Sequence, residues 1–184
     1  MKITTPAGAL ARALAFVSHA AARPATTQPI LASALFEADK ESGVLAIGAT
    51  DTDLTARLFS SAPEIKEGGR AALPCRLLHD IVKALDAEAT VHLGASDKQA
   101  ALATQDGKNT YSLRLMAAEN FPELANFPDE DGSSFTLEAA KLAEAIASVA
   151  PTASSTDDSR PVLTGVMLAF GSDDATLVAT DSYR

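Results

Sequence analysis

One pattern is written twice in this chain, a whole domain length apart. The first copy opens at Met1 with a short strand pattern and an Ala-rich helical stretch. It continues through Gln28-Pro29-Ile30-Leu31 and a turn to Val44-Leu45-Ala46-Ile47-Gly48-Ala49-Thr50-Asp51. The second opens at Ser134-Phe135-Thr136-Leu137. Another Ala-rich helical stretch follows, then Arg160-Pro161-Val162-Leu163, a turn, and Ala175-Thr176-Leu177-Val178-Ala179-Thr180-Asp181. Pro29 and Pro161 lie 132 positions apart, and Thr50 and Thr180 lie 130 apart. A solenoid unit is far shorter, so this spacing points to a duplicated domain.

The copies end differently. After Asp51 the first needs roughly another 75 residues to close a core of ordinary domain size. After Asp181 come only Ser182, Tyr183 and Arg184, the last a residue where a trypsin-like protease cuts. The expectation is one complete domain over residues 1–128 and the opening of a second over 129–184. A partial domain leaves a sheet edge and an apolar face open to pairing with another chain.

Strand patterns outnumber helical ones. Residues 1–5, 30–38, 44–49, 54–60, 70–73, 90–93, 100–104 and 110–115 read as strands. Residues 7–22, 74–85 and 138–150 read as helices. Helices falling between runs of strands predict an α+β architecture with mainly antiparallel pairing, not a parallel nucleotide-binding sheet. Leu10, Leu14 and Val17 form the apolar stripe of the first helix. Leu77, Leu78, Ile81, Val82 and Leu85 are the apolar positions of the second. Phe121-Pro122-Glu123-Leu124 and Phe127 to Gly132 read as a linker pinned by two phenylalanines.

The chain is 47% hydrophobic, enough for one good core, and its longest apolar runs fall well short of the ~20 residues that cross a bilayer. Met1-Lys2-Ile3-Thr4 lacks the blocks of a secretory signal, and a single cysteine, Cys75, forms no internal disulfide. Both point to a reducing, cytoplasmic setting. A net charge of −9 argues against a protein coated in nucleic acid. Charge placement matters more than the sum.

Two helices of the first copy each show a face of one sign. Arg12, His19 and Arg23 fall within roughly 40° of one another if the first helix extends to Arg23. Arg76, His79 and Lys83 lie opposite the apolar set of the second, flanked by Asp80. Either face is a solvated surface or one that touches phosphates without reading bases. The third helix does not repeat the pattern, offering Lys141, Glu144 and Ser148.

Other chemistries have thinner support. Cys75 and His79, four apart near a helix start, are the residues of a possible thiol enzyme. Asp51 and Asp53, with Asp157 and Asp158, are candidate metal ligands, though short acidic pairs beside strands are commonly turn formers. His92 lies on a strand pattern and takes no role. Gly68-Gly69 is a turn without the context of a phosphate loop. A non-catalytic interaction module unrelated to DNA is a further alternative. No cofactor is expected.

In order and spacing, several strings resemble the bacterial sliding clamp, the β subunit of DNA polymerase III. They are Ala22-Arg23-Pro24, Pro29-Ile30-Leu31, Gly48-Ala49-Thr50-Asp51, Leu73-Pro74, Phe121-Pro122-Glu123-Leu124, Phe135-Thr136-Leu137 and Val178 to Arg184. The resemblance implies a clamp fold with helices on the inner face and antiparallel sheets outside. It implies three similar domains per chain, the third absent here. Two chains would form a homodimeric head-to-tail ring around duplex DNA. Such a ring is a processivity factor, not an enzyme, and its partners are the polymerase catalytic subunit and the clamp loader. Carried over, Arg12, Arg23, Arg76 and Arg160 are DNA-facing, with Lys83 on the same stripe as Arg76. Leu163, Thr180, Ser182, Tyr183 and Arg184 form part of a partner-binding cleft. Tyr111 and Leu113 belong to the ring contact. Pro161 and the weakly basic third helix depart from the family's pattern.

Overall fold

The structure is a computed structural model that describes residues 1–23, 27–96, 99–124, 135–155, 159–171 and 174–184. It divides into two compact units, one within Met1–Phe127 and the other within Pro128–Arg184. Ser134, Pro24, Asp157, Asp158 and the stretch Phe127 to Gly132 lie outside the described residues.

The first unit begins with β1 (Lys2–Pro6), which runs directly into α1 (Ala7–Val17). The stripe Leu10, Leu14 and Val17 is at most 2% exposed, so burial of one face holds this helix. No side chain caps its start. The Ala7 and Gly8 amides instead donate to the carbonyls of Ala89 and Ala87, both at 2.8 Å. Gly8 permits that approach, since a Cβ there would lie 3.0 Å from both the Ala87 oxygen and its methyl.

Two groups of strands and a second helix follow. β2 (Ser33–Asp39), β3 (Val44–Thr50), β4 (Thr55–Ser60), β5 (Glu64–Glu67) and β6 (Gly69–Pro74) precede α2 (Cys75–Lys83). β7 (Thr90–Ala95), β8 (Gln99–Thr104) and β9 (Thr110–Arg114) come after it. All pair antiparallel, in a five-stranded sheet β5-β1-β7-β8-β9 and a four-stranded sheet β4-β3-β2-β6. Each helix therefore sits in a strand-helix-three-strand unit whose first strand is given to the other sheet. β1 pairs with β7, and β6 with β2. A bridge from the Met116 amide to the Ala72 carbonyl, 3.2 Å, joins the two sheets. One core is shared by both helices and the inner faces of both sheets, with Ile3, Phe36, Ile47, Leu73, Leu93 and Leu102 nearly inaccessible. On the opposite face of the four-stranded sheet, Leu35 and Ala72 lie under Ala118, Phe121 and Leu124. Gly48 makes room there, because a Cβ would meet Leu124 Cδ1.

Three local expectations are corrected. The first helix ends at Val17, not near residue 22. The amides of His19 and Ala20 bond three residues back, to Phe16 and Val17, and the Ser18 hydroxyl donates to the Ala15 carbonyl at 2.7 Å. Residues 29–32 form a 3-10 turn, Pro29–Ala32, ahead of β2, with Pro29 supplying a preset φ at its start. β5 was not expected: its sequence, Glu-Ile-Lys-Glu, lacks a buried alternating face, and pairing with β1 makes it a strand.

The second unit repeats this opening with close fidelity. α3 (Ala139–Val149) matches α1 at an offset of 132, and the 3-10 turn Pro161–Thr164 matches Pro29–Ala32. The Ser154 amide donates to the Leu163 carbonyl at 2.9 Å, as the Ala22 amide does to Leu31 at 2.9 Å. β10 (Met167–Phe170) and β11 (Ala175–Val178) keep the register of β2 and β3: Met167 faces Val178 where Leu35 faces Gly48. The change of offset from 132 to 130 is thus absorbed in the hairpin loop. No described residue of this unit is fully buried.

Candidate nucleic-acid interface

In the first unit, paired and unpaired cations segregate by element. On the strands, Arg57 and Arg70 both pair with Glu37, at 2.7 and 3.0 Å, while Lys2 pairs with Glu67 and Lys66 with Glu64. The Lys2 ammonium, bonded to Glu67, holds that carboxyl below its ordinary range. Arg114 on β9 is the strand cation without such a partner. Among the described residues, Arg12, Arg76, Lys83 and Arg23 form no ion pair, and all four are exposed. α1 carries no carboxylate and α2 only Asp80, which sits 3.7 Å from His79 Nδ1. An uncompensated cation keeps its field for an external anion, whereas Arg57 spends its field on Glu37.

Arg76, His79 and Lys83 all fall within α2, and Lys83 in its last turn also complements the helix dipole. Arg12 is exposed on α1. Arg23, however, lies six positions beyond the last helical residue, so Arg12, His19 and Arg23 do not form one helical stripe. Sequence reasoning also missed two exposed apolar residues on these helices. Phe16 follows Arg12 by one turn, Leu77 stands beside Arg76, and each is 52% exposed. Phe16 falls off the buried stripe of α1, which was the available signal. The sequence pattern groups Leu77 with the apolar face of α2, but Cys75, Leu78 and Val82 supply the buried positions.

In the second unit, Thr180 to Arg184 form a tight turn. The Asp181 carboxylate accepts the amides of Tyr183 and Arg184 at 2.9 and 3.1 Å, and Ser182 takes φ 76°. Thr50 to Leu54 make the same turn: Asp51 accepts the amides of Asp53 and Leu54, and Thr52 takes φ 85°. Those backbone bonds, chiefly from Tyr183, lower the Asp181 pKa. The turn leaves Thr180, Ser182 and Arg184 exposed and Tyr183 94% exposed, while Leu163 is half-buried on its 3-10 turn. Arg160 donates from Nη1 to the Ser182 hydroxyl at 2.9 Å, so this expected DNA-facing cation is engaged with a residue of the expected cleft.

On β9, Tyr111 is half-buried against the core. Leu113 is 3% exposed within it, so of the two residues expected in a ring contact Tyr111 is the one with side-chain surface. β9 nevertheless ends its sheet, pairing within that sheet only to β8.

The rival chemistries lose their footing. Cys75 is fully buried, and burial pushes its thiol up to about 11, so a thiolate nucleophile is disfavoured at neutral pH. Asp51 is occupied as a turn former, and the described residues hold no group of three or more potential metal ligands. His92 Nδ1 lies 3.0 Å from the Thr4 hydroxyl across the β1–β7 pair, a structural contact. No helix among the described residues is long and apolar enough to cross a membrane.

Residues 1–125 match the family model described as DNA polymerase III beta subunit, N-terminal domain, and residues 136–184 that of its central domain. The chain is 34% identical over 185 residues to the beta sliding clamp of Streptomyces coelicolor, with 100% of this chain and 46% of that protein covered. It is 32% identical over 185 residues to that of Synechococcus elongatus, covering 100% of this chain and 47% of the relative. Among solved structures, a sliding clamp (DNA polymerase III subunit beta) of Bartonella birtlesii bound to griselimycin superposes with a TM-score of 0.86 at 28% identity, covering 99% of this chain and 47% of that one. The beta subunit of Thermotoga maritima gives 0.84 at 28% identity, covering 98% and 47%. The chain spans about half the length of the curated relatives it matches.

Proposed function

This chain belongs to the DNA polymerase III beta-subunit family, the bacterial sliding clamps, and on that premise we propose that it supplies the first domain and the start of the second in a clamp that encircles duplex DNA. The observation that carries the reading is the segregation of charge in the first unit: free cations on α1, on α2 and at Arg23, against largely neutralised cations on the strands. Phosphate contacts from such helices attract a duplex without favouring a base register, as sliding requires. Retention then comes from ring closure, and the acidic total charge of −9 discourages DNA from binding elsewhere.

In this role Arg12, Arg23, Arg76 and Lys83 face the duplex, with Arg160 at the margin because of its bond to Ser182. The exposed turn at Thr180 to Arg184, together with Leu163, forms one wall of a groove for peptides of the polymerase catalytic subunit and the clamp loader. The free edge of β9, with Tyr111 beside it, takes part in closing a homodimeric ring through backbone pairing. The protein acts in the cytoplasm, where reducing conditions suit its one buried thiol.

The test uses a ring-competent, three-domain form carrying this chain, loaded on nicked circular DNA. It should remain bound to the circle at salt that removes it from linear DNA, and should be released once the circle is cut. Release at equal rates from both topologies overturns the reading.

A further inference from the structure

A cleft of about 300 Å³ opens between α1 and strands β3 and β4 of the first unit. Its body is apolar, formed by Leu10, Ala13, Leu45, Ile47, Leu58 and Pro63. Three polar residues are set into it. Thr5, on β1, is 4% exposed, and its hydroxyl has no hydrogen-bond partner among the described residues. That hydroxyl opens onto the cleft, where its proton and lone pairs are available to a ligand atom. At the rim stands Arg12, which forms no ion pair, and near it Ser60, whose oxygen accepts the Ala62 amide at 3.3 Å and whose proton remains to be given. Among the described residues no carboxylate lines the cleft.

We propose that this cleft binds a small aliphatic monocarboxylate, with its alkyl chain against Leu10, Ile47 and Leu58 and its head group on Arg12. The volume lies at the small end of ligand pockets and suits a short chain, not a lipid or a cofactor. The sign of the head group follows from the rim: one free guanidinium, hydroxyl donors and no acid select an anion. An apolar body with few placed polar groups is the ordinary composition of a small-molecule site. Because Arg12 is also among the cations proposed to face DNA, occupancy would remove one phosphate contact from the interface. The binding itself does not depend on the clamp reading and is measured without DNA.

The experiment is an amide NMR titration of the 184-residue chain with octanoate, compared with octylammonium, which has the same tail and the opposite charge. Octanoate should give saturable shifts centred on Thr5, Ala9, Ala13, Ile47 and Leu58, and bind about tenfold more tightly than octylammonium. Arg12→Gln, at an exposed position, should keep the fold and abolish that preference. Ala9→Leu, on the half-buried flank of the cleft, should weaken both ligands together. The proposal is overturned if octanoate gives no saturable shift at millimolar concentration, if shifts centre elsewhere, or if Arg12→Gln binds octanoate as well as the parent chain.

Discussion

The two units share a blueprint and differ in what their apolar side chains achieve. Leu14 on α1 is 0% exposed; its counterpart Ile146 on α3 is 38% exposed. Leu35 is 2% exposed, while Met167 at the same hairpin position is 59% exposed. The local bonds are nonetheless the same: the 3-10 turn, the hairpin register and the Asp-centred turn recur one for one. Local sequence therefore specifies this helix-and-hairpin module, but burying its stripe needs the further layers that β1, α2 and the remaining strands supply in the first unit. A stacked pair, Phe135 on Phe170 with ring centroids 4.2 Å apart, packs on the second unit's hairpin.

The comparison breaks most readily at matched helix positions. Leu14→Ala should cost about 3 kcal/mol by opening a cavity in a closed core, whereas Ile146→Ala should cost less than about 1 kcal/mol. Denaturant unfolding read by amide hydrogen exchange separates the two, and equal losses would show that the second unit holds a comparable core. Next is Gly48→Ala, which drives a methyl into Leu124 and should cost about 2 kcal/mol. Leu124→Ala in the same chain should recover part of that loss, as thermal unfolding would record. At the matched position the second unit carries Val178, 44% exposed, so Val178→Ala should be nearly neutral.

A smaller effect concerns charge. Arg76→Ala should weaken DNA binding of the ring-competent form about uniformly across sequences and lower the slope of log affinity against log salt by about 1. Arg57→Ala, which removes a cation already paired with Glu37, should leave the slope unchanged. The smallest effect is a pH dependence in the second unit's turn. Asp181 titrates below the ordinary 3.8, so its contribution is present above that pH and is lost as pH falls through the lower folded value. A carboxyl NMR titration should show the depressed midpoint, and Asp181→Asn should flatten the pH response of the Tyr183 and Arg184 amides.

Legibility varied from residue to residue. The α2 face of Arg76, His79 and Lys83 could be read because the helix spans all three positions. The α1 face could not be read as far as Arg23, because a serine hydroxyl and two short-range bonds end the helix at Val17. The burial of Leu113 was not legible, because strand alternation does not say which face of a sheet is covered. β5 was invisible because its strand character comes from β1 and not from its own residues.

The sequence alone determined the repeat, its two offsets, the apolar stripes and the turn chemistry at Thr50 and Thr180, all of which depend on neighbours a few residues away. Tertiary structure alone decided which cations are neutralised, that the one thiol is buried, and that Arg12 borders an apolar cleft with the Thr5 hydroxyl in its wall. Burial and charge pairing bring together residues far apart in the chain, such as Glu37 with Arg70 and Gly8 with Ala87, and no local pattern encodes those meetings.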